Sequence, residues 1–177
     1  GREYNTTVIS GDILHNIVLP PFKACVDAGV ATFMNGFNQM NGIPVTGHVQ
    51  LQRKILKGQW EYEGMIVSDW GSIGEMTVHG YAANEKEAGL KAILAGSDMD
   101  MESYVYEKYL KTLVEEGKVD VELIDDAARR ILNLKHELGL FEDPYKYCDA
   151  EREARVIGSN EIILATRNMA RKSVVLL

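Results

Sequence analysis

The run GMIVSDWGSIGE, residues 64–75, holds the residues of this chain best placed to do chemistry. An apolar β-former segment, Met65 to Val67, ends on an acid, Asp69, followed at once by the indole of Trp70 and by Gly71. A carboxylate inside a strand would face a large desolvation cost, on the order of several kcal/mol, unless paired, whereas one at the strand's last position stays open to ligand and water. Two readings follow. Asp69 is either a loop acid that caps the segment after Trp70, or a reactive carboxylate with Trp70 as a flat apolar wall. An indole beside a carboxylate suits a sugar, whose C–H face stacks on the ring while its hydroxyls seek acceptors.

Two further runs offer partners for the same mouth. Met34 and Phe37 close VATFMNGF (30–37), where they read equally well as core residues. Asp98 and Asp100 in SDMDM (97–101) form a D-x-D, which on a strand puts both carboxylates on one face. That pair is either a Mg²⁺ or Mn²⁺ site, as in phosphoryl or nucleotide-sugar transfer, or a set of helix-capping and loop acids. His15, His48, His79 and His136 show no metal-ligand spacing, so no metal is expected. No G-x-S-x-G elbow, Walker loop or G-x-G-x-x-G follows a strand, and no cofactor is expected. What remains is carboxylate chemistry.

The elements that must carry these residues repeat. The strand-like runs begin near residues 31, 65 and 97, that is 34 and 32 residues apart, and each leads into a helix-like segment. The first helix is HVQLQRKILK (48–57), stopped by Gly58. The second spans about Glu85 to Ala95, with Asn84 as N-cap, Glu87 in capping-box position and Gly96 as the left-handed stop. The third is YVYEKYLKTLVEE (104–116), ended by Gly117. Hairpins cannot join strands so spaced, so the fold class is α/β with parallel strands and helical crossovers. Eight such units make a (β/α)8 barrel of roughly 250 residues, and a doubly wound sheet uses the same block. Three parallel strands leave edges and faces uncovered, so the chain is expected to be part of a larger structure.

Beyond Gly117, VELIDDAARRILNLKHELG predicts a helix N-capped by Asp120 and closed by Gly139, with Ile124, Ala127, Ala128, Ile131, Leu134 and Leu138 on its apolar face. LFEDPYKYCDAERE reads as a connector, a helix over about 159–171 follows, and SVVLL (173–177) reads as a strand opening a second domain.

Composition narrows the partners. A net charge of −7 argues against a nucleic-acid backbone or an anionic membrane surface and for a neutral or weakly charged ligand. No apolar run approaches the roughly 18 residues of a membrane span. Cys25 and Cys148 stand alone and predict neither disulfide nor metal site.

Several separated pieces together resemble glycoside hydrolase family 3, of the bacterial β-glucosidase type: GREYNTT (1–7), LPPFKACVDAG (19–29), TFMNGFNQMNGIP (32–44), GMIVSDWGSI (64–73), AGSDMDM (95–101) and IDDAARRILNLKHELGLFEDPY (124–145). The resemblance implies a partial (β/α)8 TIM-type barrel, residues 1–140, holding its last three or so βα units. A linker over 141–157 and the first helix and strand of an α/β sandwich domain over 158–177 would follow. It implies a retaining, exo-acting β-glycosidase on oligosaccharides or aryl and alkyl β-glycosides, with β-xylosidase, another exo-glycosidase or a non-catalytic sugar-binding remnant as alternatives. Asp69 would be the nucleophile, Trp70 would line the leaving-group side, and Met34 and Phe37 would lie near the bound sugar. Where many members carry a tyrosine that hydrogen-bonds the nucleophile, this chain has Phe37. The sugar clamp would come from before Gly1 and the acid/base from after Leu177, so neither is expected in this chain, which alone would be inactive. A periplasmic or secreted setting is the one the resemblance favours.

Overall fold

The computed structural model describes residues 4–176 of the chain, which divides into two compact units, Gly1–Leu138 and Gly139–Leu177.

In the first unit, β2 (Thr32–Met34) and β5 (Met65–Val67) pair in parallel, with Thr32 opposite Met65 and Met34 opposite Val67. Val67 in turn makes a parallel bridge to Met99. The three expected runs therefore lie side by side and point the same way. Each is shorter than expected. The 30–37 run leaves regular pairing after Met34, where the Asn35 amide still reaches Val67 O (3.0 Å) but its buried side chain turns to Ser97. The 97–101 run shrinks to one bridge because the Asp98 and Asp100 side chains bond to backbone amides of neighbouring segments.

A small second sheet, unforeseen in the sequence, takes one strand from before β2 and two from the connection between β2 and β5: β1 (Thr6–Thr7) runs parallel to β3 (Gln39–Met40), which pairs antiparallel with β4 (Ile43–Pro44). The Asn41–Gly42 turn between β3 and β4 has φ of 53° and 81°, the two positive values a tight type I′ hairpin requires. The Asn41 side chain exchanges two hydrogen bonds with the Ile9 backbone, tying the hairpin to the segment after β1.

The helices follow their sequence signals where caps are explicit. Helix α1 (Gly11–Ile13) passes through a π turn, Leu14–Val18, into α2 (Leu19–Asp27). Pro20 and Pro21 cannot donate to the preceding carbonyls, and Leu19 N bonds five residues back to Leu14 O. The helix expected over 48–57 runs Gln50–Gln59 with π-type bonding, ending on Trp60 N to Ile55 O. A short α3 (Ser72–Glu75) follows Asp69 directly. In α4 (Glu85–Ala95) the Asn84 side chain accepts from Glu87 N and Gly96 closes the helix at φ 108°, as its sequence predicts. After α5 (Val105–Glu115), helix α6 (Val121–Glu137) is capped by Asp120. Its apolar face packs in part: Ala127 is buried with Leu123 and Ile124 against α4 and α5, whereas Ala128 and Leu138 are exposed.

The core between α4, α3 and α5 is built from Ile73, Met76, Ala88, Ala92 and Val105, and a second patch joins Ile93, Leu113, Val119 and Ala127. Ile66 at the centre of β5 is 1% exposed. Each buried Ile, Leu, Val or Met among them contributes about 1.5–3 kcal/mol by burial. That rigidity is what the end of β5 inherits.

In the second unit, α7 (Ala150–Val156) and α8 (Asn160–Ser173) are capped by Asp149 and Ser159. The expected connector over 141–157 thus contains a helix. The SVVLL run is not a strand: α8 takes in Ser173, and Val174 to Leu176 carry no regular structure, while Leu177 lies outside the described residues.

Candidate active site

Asp69 stands two residues past the end of β5, half-buried, in a turn fastened from several sides. Its carbonyl accepts from Ser72 N (3.1 Å) and from the Ser68 hydroxyl (3.1 Å). Its carboxylate Oδ1 accepts from Trp70 N at 2.7 Å, the one hydrogen bond to that carboxylate among the described residues. Gly71 holds φ at 70°, a left-handed value that turns the chain into α3.

The Met101 peptide grips this turn on both flanks. Met101 N donates to Ser68 Oγ (2.8 Å) and Met101 O accepts from Gly71 N (2.7 Å), so the pair Asp69–Trp70 is bracketed by two bonds to the neighbouring run. Ser68, fully buried, also donates its amide to Met99 O (2.9 Å). The carboxylate is thereby held by its backbone while its side chain keeps accepting capacity. Trp70 presents its ring outward, 64% exposed.

The other sequence candidates fall as follows. Met34 is exposed at the end of β2, one strand over from Asp69. Phe37, half-buried, stacks on Tyr4 with ring centroids 4.8 Å apart, and the Tyr4 hydroxyl reaches Glu75 Oε1 (3.2 Å) on α3. Phe37 therefore joins the Asp69 segment through Tyr4 and Glu75, with no ring contact or hydrogen bond to Asp69 itself among the described residues.

Asp98 and Asp100 do not act as a pair. Asp98 forms a buried ion pair with Lys57 and accepts from Ile66 N (2.8 Å), which locks β5 to the helix Gln50–Gln59. Burial pushes the Asp98 carboxyl up and the Lys57 ammonium down to about 8, each shift opposed by the other charge. Asp100 accepts from the amides of Ser103, Val105 and Tyr106 at 3.2, 2.8 and 3.1 Å and from the Ser103 hydroxyl, so it caps the start of α5. Of the two readings of the D-x-D, the capping one holds for Asp100, whereas Asp98 fits neither and is a buried ion-pair partner of Lys57; among the described residues no group of three acidic, histidine or cysteine side chains gathers that could hold a metal.

Sequence reasoning missed the polar groups beneath the mouth. Asn35 Nδ2 donates to Ser97 Oγ (2.8 Å), Gln52 Nε2 donates to the carbonyls of Val45 (2.7 Å) and Thr46 (2.9 Å), and Thr46 Oγ1 donates to Ser72 Oγ (3.0 Å). These residues come from five segments and share no spacing, so only the fold collects them. A cavity of about 380 Å³ against β2, lined by Phe33, Met34 and Ile55 among others, is apolar and excludes Asp69 and Trp70.

The chain is similar to the periplasmic beta-glucosidase of Salmonella typhimurium, at 41% identity over 180 residues that cover 100% of this chain and 24% of that protein. A Formosa agariphila beta-xylosidase shares 34% identity over 173 residues, covering 93% of this chain and 24% of its own length. Among solved structures, the beta-glucosidase from Listeria innocua in complex with glucose superposes with a TM-score of 0.84 at 42% identity, covering 90% of this chain and 22% of that one. The chain thus spans about a quarter of the length of the curated relatives it matches. Residues 1–134 match the model of the glycosyl hydrolase family 3 N terminal domain. Because that match covers most of the chain, including β2, β5 and the turn that carries Asp69, the chain belongs to glycosyl hydrolase family 3.

Proposed function

We propose that this chain supplies the nucleophile half of a retaining, exo-acting β-glycosidase of the β-glucosidase type, with Asp69 as nucleophile. The observation that carries the reading is the bracket around Asp69–Trp70: a carboxylate fixed by its backbone just beyond a buried strand, bonded by one amide, beside an exposed indole. Such a group is rigid enough to meet an anomeric carbon and accessible enough to reach it. Asp69 attacks that carbon as the glycosidic C–O bond breaks, and the departing oxygen takes a proton from a second carboxylic acid about 5–5.5 Å away. Water then cleaves the glycosyl-enzyme ester, giving its proton to that second group and restoring Asp69.

In this reading the parallel strands near 31, 65 and 97 are three of the eight in a (β/α)8 barrel, and the acid/base and the sugar clamp come from polypeptide outside the chain. The barrel portion is residues 1–140, a linker follows over 141–157, and 158–177 opens a second domain. Met34, Phe37 and Trp70 face the substrate, an oligosaccharide or an aryl or alkyl β-glycoside. The kinship with a periplasmic relative supports a periplasmic or secreted setting.

A 2-deoxy-2-fluoro-β-glucoside carrying a good leaving group tests the assignment in the full-length protein. The label is expected on the peptide containing Asp69, and its appearance on another carboxylate overturns the reading. A β-xylosidase is the second reading, favoured by the Formosa agariphila relative. Relative kcat/KM on aryl β-xylosides and aryl β-glucosides separates the two.

A further inference from the structure

We infer that Thr46 is a positioning residue for Asp69, acting through Ser72; the inference rests on Asp69 being the nucleophile. Thr46 lies in the 3₁₀ turn Val45–Gly47 after β4 and is 2% exposed. Its hydroxyl donates to Ser72 Oγ (3.0 Å), and the Ser72 amide donates to the Asp69 carbonyl (3.1 Å). Ser72 is itself buried. One side-chain bond and one backbone bond therefore connect a turn remote in sequence to the peptide that aims the carboxylate.

Thr46 is also the point where a longer polar chain arrives. Its carbonyl accepts from Gln52 Nε2 (2.9 Å) and lies within bonding reach of Ser97 Oγ (3.0 Å), which accepts from Asn35 Nδ2. Asn35 N in turn bonds to Val67 O on β5. The end of β2, the bridge run, the turn after β4 and the start of α3 are thus joined around Asp69 by buried polar atoms. In a low-dielectric interior such a chain is rigid when every member is satisfied and costly when one partner is lost. Removing the Thr46 donor leaves Ser72 Oγ buried without it, and the turn holding Asp69 shifts to find a substitute. Displacements well under 1 Å at a reacting atom are enough to slow chemistry.

The test compares Thr46→Val, which keeps the shape and deletes the donor, with Thr46→Ser, which keeps the donor, in the full-length protein. Ile93→Val, a core change outside the chain of polar groups, controls for lost stability. Three readouts are taken: kcat and KM on an aryl β-glucoside, the rate of labelling of Asp69 by the 2-deoxy-2-fluoro glycoside, and the melting temperature. Thr46→Val is expected to lower kcat and the labelling rate together by about tenfold with KM nearly unchanged, and Thr46→Ser to restore both to within about twofold. Should Thr46→Val not fold, Ser72→Ala removes the acceptor from the other end while keeping the amide to Asp69, and the same loss is expected. A donorless variant that is labelled at the wild-type rate, a Thr46→Ser as slow as Thr46→Val, or an equal loss in Ile93→Val overturns the inference. A wild-type protein labelled elsewhere than Asp69 overturns the nucleophile assignment instead, so the two failures are told apart.

Discussion

Lys57 and Asp98 form an ion pair whose side chains are only 4% and 2% exposed, and the second oxygen of Asp98 accepts the amide of Ile66 in the middle of β5. Two charges withdrawn from water gain little net stability over a well-packed apolar pair, but breaking such a pair leaves one buried charge alone. Lys57→Met is therefore expected to cost about 3–5 kcal/mol in urea unfolding at pH 7, and the double variant Lys57→Met/Asp98→Asn to recover much of it. Full additivity of the two single losses would show that they are not coupled.

The same pair sets a pH dependence. Lys57 titrates near 8 in the folded chain, below the roughly 10.4 of an unfolded lysine. Between those values the unfolded chain holds more protons, so the Lys57 contribution is fully present above the unfolded value and is lost as pH falls through about 8. Asp98 has the opposite sign, since its raised pKa gives stability at low pH that is lost as pH rises through the folded value. The deficit of Lys57→Met should then shrink as pH is lowered from 7 towards 5, where the unpaired Asp98 takes up a proton. Urea titrations at three pH values check this, and a deficit that grows on acidification would contradict it.

Asp100 is a cap, and its loss is a folding defect. Asp100→Ala removes the acceptor for three backbone amides at the start of α5 and is expected to cost about 1–2 kcal/mol, with Asp100→Asn recovering part. EDTA should leave the melting temperature in place. A drop with EDTA would return the two acids to a cation-binding role.

Where a local rule governs an element, the sequence reads true. Asn84 with Glu87 and Gly96 mark both ends of α4, and Asp120 marks the start of α6, because a cap is a contact among neighbours within three or four residues. Asp69 is legible for a related reason: an acid closing an apolar run is visible in six letters. The third run is legible too, but not its shortness, since Asp98 and Asp100 spend their side chains on amides of β5 and α5, partners that no spacing reveals. Helix α7 hides in a segment whose charged composition carries no apolar stripe, although Asp149 caps it. Thr46, Ser72, Ser97 and Asn35 are ordinary polar residues until the fold brings them together.

Gly71 is required by conformation. Its φ of 70° is left-handed, yet a Cβ built there meets nothing within 4 Å, so a substitution is opposed by the backbone alone. Gly71→Ala should cost about 1–2 kcal/mol, and Gly71→Asn less, because asparagine tolerates this region. Thermal and urea unfolding should rank glycine above asparagine above alanine. If alanine matches glycine, the turn relaxes freely and does not hold Trp70 and Asp69 as described.

The sharpest test falls on Asp69. Among the described residues its carboxylate accepts one hydrogen bond, from the next residue's amide, and its half-exposed side chain fills no core space. Asp69→Gly or Asp69→Ala in the full-length protein should therefore leave unfolding within about 1 kcal/mol of wild type while turnover falls by several orders of magnitude, since a covalent nucleophile has no substitute within the site. The vacated space admits a small anion. Added azide should restore cleavage of an activated aryl β-glucoside and yield the α-glycosyl azide, because attack comes from the face that Asp69 left. Formate should restore cleavage to a smaller degree. Full activity in the variants, or a β-configured azide product, would make Asp69 a structural acid and place the nucleophile elsewhere.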